Sequence, residues 1–484
     1  MAAHHASPGA WEKLIAGAMN GPLVAMAVIF IIGAGFIALI ITPREEEPQI
    51  IVPLADVLVS APGLSARQVE RQVSTPLEKL LSQIDGVEHV YSMSRSGRAV
   101  VTVRFYVGED REDSLVKVFA KLESSRDTIP AIVSSWVVKP LEVDDVPIMI
   151  AALWSDDPDQ VDGYQLRRLA EEMGHRLKAI DQTNRVTVTG GYPRRVRVQL
   201  DPQALAARNT TPLALAAAIE AANVQLPAGA VIRHDRSFEV EAGAFISDAQ
   251  ALGRLVINVT NGAPVYLSDV ARISDGPGEP GNYTWLGFGP AAGVGAEGSE
   301  VFPAVFLAIA KRKGSNAVWV AEEARENLER LHRELFPPQV HFEIVRNYGV
   351  TADQKVDDLV SSLAVAMVTV VVFIAVFLGW RQAVVVGIAV PVSYGVTLLL
   401  GLLTGYTINR VTLFALILAL GLLVDDPITG VDNISRYLRK GGRSARTAVV
   451  RAMLEVRSAL ILSTVAIALA FAPMFFITGM MGPY

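Results

Sequence analysis

The chain has 484 residues, of which 51% are hydrophobic and only 19% charged, with a net charge of -6 and no cysteine. Without Cys there are no disulfide staples, thiolate metal sites or thiol nucleophiles, and without a basic cluster able to track a phosphate backbone, nucleic acid is not expected as a partner. Mean hydropathy is +0.36, and this average hides a segregation: charge is concentrated between residues 43 and 357, while the flanks carry uncharged runs long enough to cross a bilayer.

Residues 1–21 read as a polar N-terminus, with His4 and His5 as terminal residues rather than a metal site. Residues 22–42 form an uncharged apolar run, longer than the roughly 7 to 15 apolar residues of a secretory signal core, and are read as span 1. Beyond it, residues 50–60 are rich in Ile, Val and Leu and predict a strand, closed by Pro62 and Gly63. Ser65 with Gln68 is a capping-box pattern, and Val69, Val73, Leu77, Leu80, Leu81 and Ile84 then recur at helical spacing. Pro76 predicts a bend in that helix. Strands at 87–93 and 99–107, a helix at 113–127 and a strand near 134–138 complete the order β-α-β-β-α-β, the split βαβ arrangement.

A second such series follows, with strands at 147–154, 185–189, 302–310 and 340–345 and helices at 164–179 and 316–335. It is interrupted by residues 194–275, which carry strands and helices of their own and read as an inserted subdomain. The expected fold is therefore an α-helical polytopic membrane bundle plus an α+β domain of split βαβ (ferredoxin-like) subdomains. One subdomain spans residues 43–141, the other 142–193 and 276–357. Residues 276–299 are rich in Gly and Pro and read as a loop presenting Tyr283, Trp285, Leu286 and Phe288. Two readings stand side by side: a hydrophobic contact for substrate or a neighbouring subunit, and a loop folded onto its own domain.

Four further spans are expected at 358–380, 382–409, 411–431 and 458–478, with short joints at 379–381 and 405–410 that make neighbours antiparallel. The segment 432–457 carries Arg436, Arg439, Lys440, Arg443, Arg446, Arg451 and Arg457 against Glu455. The positive-inside rule makes it a cytoplasmic loop, which puts the N-terminus in the cytoplasm and residues 43–357 outside it. Tyr484 then falls on the outer side, and an end at Gly479 and Pro483 just past a span reads as a chain stopping short of its natural partner.

Asp425 and Asp426 follow an uncharged run, residues 411–424, which spans only roughly 21 Å. Carboxyl groups at intramembrane depth are costly and by default functional, as a proton relay or ion site. The competing reading ends the helix at Val424 with both acids at the cytoplasmic surface. Low dielectric and like-charge repulsion would together favour proton loading near neutral pH, and alternating surroundings would couple that loading to a conformational cycle. Pro427 removes a helical hydrogen bond near Leu423 and adds flexibility or a water site. Asn409, Thr412 and Thr429 are polar companions, read as helix-packing hydrogen bonds or relay members.

Gly421, Leu422, Leu423, Val424, Asp425 and Asp426, continuing to Asp432, Asn433 and Ile434, resemble the fourth-helix motif of the resistance-nodulation-cell division (RND) transporters, in their hydrophobe and amphiphile multidrug branch. Gly379, Trp380 and Arg381 followed by Ala389, Val390, Pro391, Val392 and Ser393 resemble the junction of that family's second and third helices. Pro62 and Gly63 before a capped helix, and Thr210, Thr211 and Pro212 leading to Asn223, Gln225, Pro227 and Gly229, resemble its porter and docking segments.

The resemblance implies a homotrimeric inner-membrane antiporter taking amphiphilic compounds from the periplasm or outer leaflet. A periplasmic adaptor protein, an outer-membrane channel and the lipid bilayer would be its partners, protons its coupling ion, and neither cofactor nor metal is expected. Asp425 and Asp426 match the family's proton-carrying acids, and the two αβ units become porter subdomains with 194–275 as the docking insertion. The acid pair favours organic substrates over the heavy-metal branch. Pro427, Thr429 and Gly430 depart from the family pattern. Family members are about twice this length and built of two repeats, so the C-terminal half of the pump is a further expected partner, and the chain reads as a fragment, a split-gene product or a shortened form. Two rival functions remain: an inactive scaffolding half-pump, and an intramembrane aspartyl protease, which needs facing carboxyls that consecutive residues on one helix do not supply.

Overall fold

The computed structural model describes residues 10–19, 22–48, 50, 52–130, 132–142, 145–260, 262–289, 301–440, 444–477 and 479. His4, His5, Arg443, Thr478, Pro483, Tyr484 and the end of the aromatic loop lie outside the described residues. A short helix α1 (Ala10–Ala18) precedes the apolar helix α2 (Leu23–Ile41).

The first αβ unit begins with β1 (Leu54–Ser60), in which Ala55, Val57 and Val59 are buried and the alternate residues are not. Helix α3 (Ala66–Val69) starts at the capping box, where the Ser65 N–H donates to Gln68 Oε1 over 2.9 Å. It runs through a π-turn at Glu70–Ser74 into α4 (Thr75–Leu81). Pro76 lacks the N–H that would close on the Gln72 carbonyl, and the chain meets this with a widened turn just ahead of it rather than a simple bend. Then come β2 (Val87–Arg95), β3 (Arg98–Phe105), α5 (Arg111–Ser124) and β4 (Ser135–Leu141). The sheet order is β2-β3-β1-β4, every pairing antiparallel. The helices cover one face of this sheet, with Val69, Val73, Leu77, Leu81, Val118 and Leu122 over Val57, Val101 and Val103.

The second unit repeats the plan. Strand β5 (Pro147–Ser155), helix α6 (Gly163–Leu177) and strand β6 (Thr183–Thr189) are followed by a long insertion. The insertion opens with β7 (Arg194–Leu200), α7 (Pro202–Ala207) and α8 (Pro212–Ala222). It continues through β8 (Gln225–Arg233), β9 (Arg236–Gly243), α9 (Ala249–Gly253), β10 (Val256–Thr260) and β11 (Ala263–Tyr266) to β12 (Ala271–Pro277). Its first and last strands pair antiparallel, so it enters and leaves the unit at one place. Arg194 clamps Asp275 across them, Nε to Oδ1 at 2.9 Å and Nη2 to Oδ2 at 2.5 Å. That guanidinium hydrogen bond holds the Asp275 carboxyl below its ordinary value. A separate core of Leu205, Leu215, Leu252, Ile257, Val265, Leu267 and Val270 supports the insertion. The β8–β9 hairpin is exposed along its whole length.

Residues 276–299 are not loop throughout, as composition suggested. Gly276 and Pro277 finish β12, and β13 (Trp285–Gly287) pairs with the start of β14 (Val301–Lys311). Alternation on this short strand buries Leu286 and exposes Trp285. Strand β14 also pairs with β5 and β6, and after α10 (Ala317–Leu335) the strand β15 (Val340–Asn347) closes the other side of β5. Met149, Leu153, Leu307 and Ile309 from the sheet meet Met173, Leu177, Ala324 and Leu328 from α6 and α10 in one core.

Among the described residues five helices are long and apolar enough to cross a membrane. Beyond α2 they are α11 (Tyr348–Phe377), α12 (Trp380–Leu403), α13 (Arg410–Arg439) and α14 (Ala445–Phe471), the last extended by a 3-10 turn at Ala472–Phe476. Their helical limits differ from the expected spans. Helix α11 begins at Tyr348 directly after β15, well before residue 358. It stops at Phe377 because Gly379 sits at φ +111, and Trp380 starts the next helix instead of ending this one. Helix α12 ends at Leu403 rather than 409, with Gly405 at φ +79. Most of the segment expected as a loop is helical: residues 432–439 end α13 and 445–457 begin α14. Arg436 and Arg439 lie in the last turn of α13, and Ser444 caps α14.

Helix α2 crosses α12 at a pair of glycines. A Cβ on Gly35 would stand 2.3 Å from the Gly395 Cα, and one on Gly395 would stand 2.7 Å from the Ile31 carbonyl oxygen. Such close backbone approach is how small residues let helices associate in lipid. Gly35→Leu has no flexible neighbour to displace and is expected to destabilise the bundle by about 1–3 kcal/mol. A thermal-unfolding series on the detergent-solubilised chain checks this, with Gly33→Leu, which meets open space, as the neutral comparison.

Candidate functional site

The site is built on α13. Its first turn is fixed by Asn409, whose Oδ1 accepts from the N–H groups of Val411 and Thr412, each at 3.0 Å, while Thr412 Oγ1 accepts from the Asn409 N–H at 3.0 Å. This is a reciprocal capping box. Asn409 and Thr412 are therefore helix-start residues, bonded to each other and to the first turn of α13.

Asp425 and Asp426 come roughly 22 Å along α13 from its start, and the helix continues past them to Arg439. The reading in which it ends at Val424 is overturned. Pro427 lies inside the helix without interrupting it, although it cannot donate to the Leu423 carbonyl. Leu413, Leu420, Val424, Gly430 and Asn433 form the buried stripe of the helix. Leu420 and Val424 pack with Ile374 of α11 and with Val386, Val390 and Tyr394 of α12. The Tyr394 hydroxyl donates to the Leu416 carbonyl at 2.9 Å, and Gln382 Nε2 donates to Ser435 Oγ at 3.1 Å, joining α12 to α13 at two levels.

Consecutive helical residues point about 100° apart, and the two acids diverge accordingly. Asp426 turns toward α14, where Thr464 Oγ1 lies 3.1 Å from its Oδ2. The same hydroxyl lies 2.9 Å from the Leu460 carbonyl. A hydroxyl has one proton and two acceptor sites. An ionised Asp426 therefore accepts the Thr464 hydrogen bond, whereas a protonated Asp426 can donate to Thr464, whose hydroxyl then donates to the Leu460 carbonyl. Asp425 instead lies on the outer face of α13 and is exposed, in line with Thr429 and Asp432, at the i, i+4, i+7 spacing of one helix face. Thr429 is thus grouped with Asp425, and Asp432 joins a polar stripe that the sequence reading did not single out.

Below the acids, α13 and α14 are locked together. Gly430 faces Met453, whose Sδ would stand in ordinary contact, 3.6 Å, from a Cβ placed there. Asn433 Nδ2 donates to the Ala452 carbonyl at 2.8 Å and to Glu455 Oε2 at 3.2 Å, and Arg436 Nη2 reaches the same carboxylate at 3.0 Å.

The aromatic residues divide into two groups. Tyr283 and Trp285 are exposed and stacked, with centroids 6.0 Å apart, and both line a cavity of about 370 Å³ that also touches Asp162 and Tyr192. Phe288 packs instead on Trp154 at 5.2 Å, and Trp154 is in turn 4.6 Å from Phe302 and 4.9 Å from His341. This cluster lies over Ala152 and Ala304, on the sheet face away from α6 and α10. Sequence reasoning missed Trp154, Phe302 and His341. Their signal is an aromatic side chain at the alternate position of strands whose other face is aliphatic.

Apolar helices long enough to cross a membrane, one of them carrying a mid-helix acid pair, with a large α+β portion between the first and second, define a multi-pass membrane protein. The sequence model of the AcrB/AcrD/AcrF family matches residues 19–484, and the chain belongs to that family of RND efflux transporters. It is 30% identical over 453 residues to the multidrug resistance protein MdtC of Yersinia pestis, and equally so to MdtC of Yersinia pseudotuberculosis serotype I (strain IP32953). Those alignments cover 93% of this chain and 42% of each relative, so the chain spans about two fifths of the length of the curated relatives it matches. The family read from the fourth-helix motif is the family found.

Thr464 was also missed. Its signal is a hydroxyl inside the apolar run of the last span, and its partner is not inferable from spacing within that span. Thr464→Val is expected to shift the carboxyl stretching band of Asp426 in isotope-edited infrared difference spectra, whereas Thr464→Ser leaves the band in place. An unmoved band in Thr464→Val would show that the hydroxyl is not a partner of the acid. The lost bond should cost about 0.5–1.5 kcal/mol of stability.

Proposed function

We propose that this chain supplies the N-terminal half of a pump that exports amphiphilic or hydrophobic compounds in exchange for protons, with Asp425 and Asp426 as the proton-carrying pair. The observation that carries this reading is the placement of Asp425. It is exposed halfway along a helix of bilayer-crossing length, in line with Thr429 and Asp432. A carboxyl facing hydrocarbon is costly, so this face calls for a polar surface from the pump's C-terminal half. Two acids pointing to different neighbours, one toward a hydroxyl of this chain and one outward, are suited to exchanging partners as protons bind and leave.

The remaining features fit the same function. In both α+β units the strand order along the sheet, fourth-first-third-second, matches the split βαβ plan and supports reading them as porter subdomains. The insertion then serves as the docking subdomain. The basic ends of α13 and α14 support an inner-membrane orientation with that end in the cytoplasm and the α+β units in the periplasm. The β8–β9 hairpin presents Leu226, Val231, Ile232, Phe238 and Val240 to solvent, as an arm seated in a second copy of the chain would, in keeping with a homotrimer. A periplasmic adaptor and an outer-membrane channel complete the assembly. The cluster of Trp154, Phe288 and Phe302 offers amphiphiles an aromatic surface, with Tyr283 and Trp285 as a further contact. An intramembrane aspartyl protease is disfavoured, because Asp426 turns to Thr464 while Asp425 faces out, and no shared-proton dyad can form between them.

Asp425→Asn and Asp426→Asn, each introduced separately in cells carrying the complete pump, are expected to abolish substrate efflux and substrate-dependent proton uptake while membrane levels of the chain stay unchanged. Dye-efflux rates and a pH-sensitive probe in inverted vesicles measure both. Undiminished efflux in both variants would leave the scaffold reading in its place.

A further inference from the structure

We infer that residues 43–48 form a strap that ties the acid-bearing helix to the second α+β sheet, with Glu45 and Lys311 as its positioning residues; this deepens the proton-pump reading and rests on it. The strap leaves the end of α2 and runs between two regions of the molecule that lie far apart in sequence. On its membrane side it is held by backbone hydrogen bonds to the approach of α13. The Ile408 N–H donates to the Pro43 carbonyl at 2.9 Å, the Glu45 N–H to the Ile408 carbonyl at 3.0 Å, and the Arg410 N–H to the Glu46 carbonyl at 3.3 Å. Arg410, the first residue of α13, also reaches Glu47 with its side chain at 2.5 Å.

On its other side the strap is bound to the sheet and its helices. Lys311, the last residue of β14, donates to Glu45 Oε1 at 2.8 Å, and the two side chains are 5% and 4% exposed. The Ala317 N–H at the start of α10 donates to the Arg44 carbonyl at 3.1 Å, and Arg44 pairs with Asp353 of α11 at 2.6 Å. Surface pairs such as Arg410 with Glu47 can slide at little cost, but a buried pair cannot be parted without stranding a charge. The Glu45–Lys311 pair is therefore the contact through which a shift of α13 reaches β14, and it is the rigid link in the strap.

The surroundings leave room for that shift. Glu45 Oε2 and Glu46 Oε2 are buried without a hydrogen-bond partner. Both residues line a cavity of about 390 Å³, together with Lys311, Arg346 and Tyr348. The strap is thus bonded on both flanks and unpacked at its centre, so it can be displaced as a unit without driving side chains into a filled core.

The test compares hydrogen exchange of the full chain in lipid nanodiscs with transport in cells. Lys311→Met, a change in the soluble sheet, is expected to speed exchange several-fold at the Ile408 and Arg410 amides, while amides in the middle of α13 stay protected. Reversing the pair, Glu45→Lys with Lys311→Glu, is expected to restore protection. Should Lys311→Met not fold, Glu45→Gln provides the same comparison. Exchange changes confined to β14 and β5 would overturn the strap. In cells, Lys311→Met at normal membrane level is expected to lose efflux and the reversed pair to regain it; full efflux in Lys311→Met overturns the coupling role. Asp425→Asn is run alongside. If it and Asp426→Asn both leave efflux intact, the proton reading fails, whereas efflux lost there and kept in Lys311→Met sinks the strap alone.

Discussion

A carboxyl group held at hydrocarbon depth constrains everything around it, because its charged form loses hydration that only protein groups can replace. Helix α13 answers that constraint by being long and fastened at both ends. Asn409 caps its start, and Asn433 and Arg436 bind Glu455 of α14 beyond the acids. Between these fastenings, Leu420 and Val424 bury one face and leave the stripe of Asp425, Thr429 and Asp432 on another. A helix anchored in this way fixes where along its length the two acids stand. Pro427, one residue on, cannot donate to the Leu423 carbonyl, yet the helix runs on past it.

The two solvents shape the rest. In the α+β units, strands such as β1 alternate buried and exposed residues, and helices such as α10 carry one buried face, with Val320, Ala324, Leu328 and Leu331 inward. In α2 the apolar residues run all round, and most of them are exposed in this chain. The transition is made without a flexible joint at α11, which begins as a polar helix immediately after β15 and becomes apolar along its own length. A sheet strand thus passes into a membrane-length helix with no residue between them. Together with the strap at residues 43–48, this fastens the α+β region to the bundle at a pair of separate points.

Much of this was legible in the sequence. The abrupt change from charged to uncharged runs marks the spans, the capping box at Ser65 marks a helix start, and the motif through Asp425 and Asp426 marks the family. What the sequence hid has physical causes. Hydropathy registers lipid rather than helix, so it missed the polar turns by which α11, α13 and α14 extend past their apolar stretches. Asn409 looked like a polar group inside a span because a cap and a buried amide have the same letter; only the direction of its side chain tells them apart. Trp380 was assigned to the wrong helix because apolar residues continue across Gly379, whose positive φ breaks the chain direction where composition does not change. Strand β13 was hidden in a Gly-rich stretch because its pairing with β14 comes from tertiary contact rather than propensity.

The contacts that no periodicity could reveal are those between segments far apart in the chain. Thr464 meets Asp426 across two helices, and Lys311 meets Glu45 across 266 residues. Both join the acid helix to something else, the first to its neighbour in the bundle and the second, through the strap, to the sheet. The departures from the family motif at Pro427, Thr429 and Gly430 are consistent with this arrangement. Gly430 lies in the buried stripe facing Met453, and Thr429 lies on the outer stripe beside Asp425. The polar groups that fasten α13, at Asn409, Asn433 and Arg436, stand apart from these three positions. A helix can vary next to its working residues when its fastenings lie elsewhere along its length.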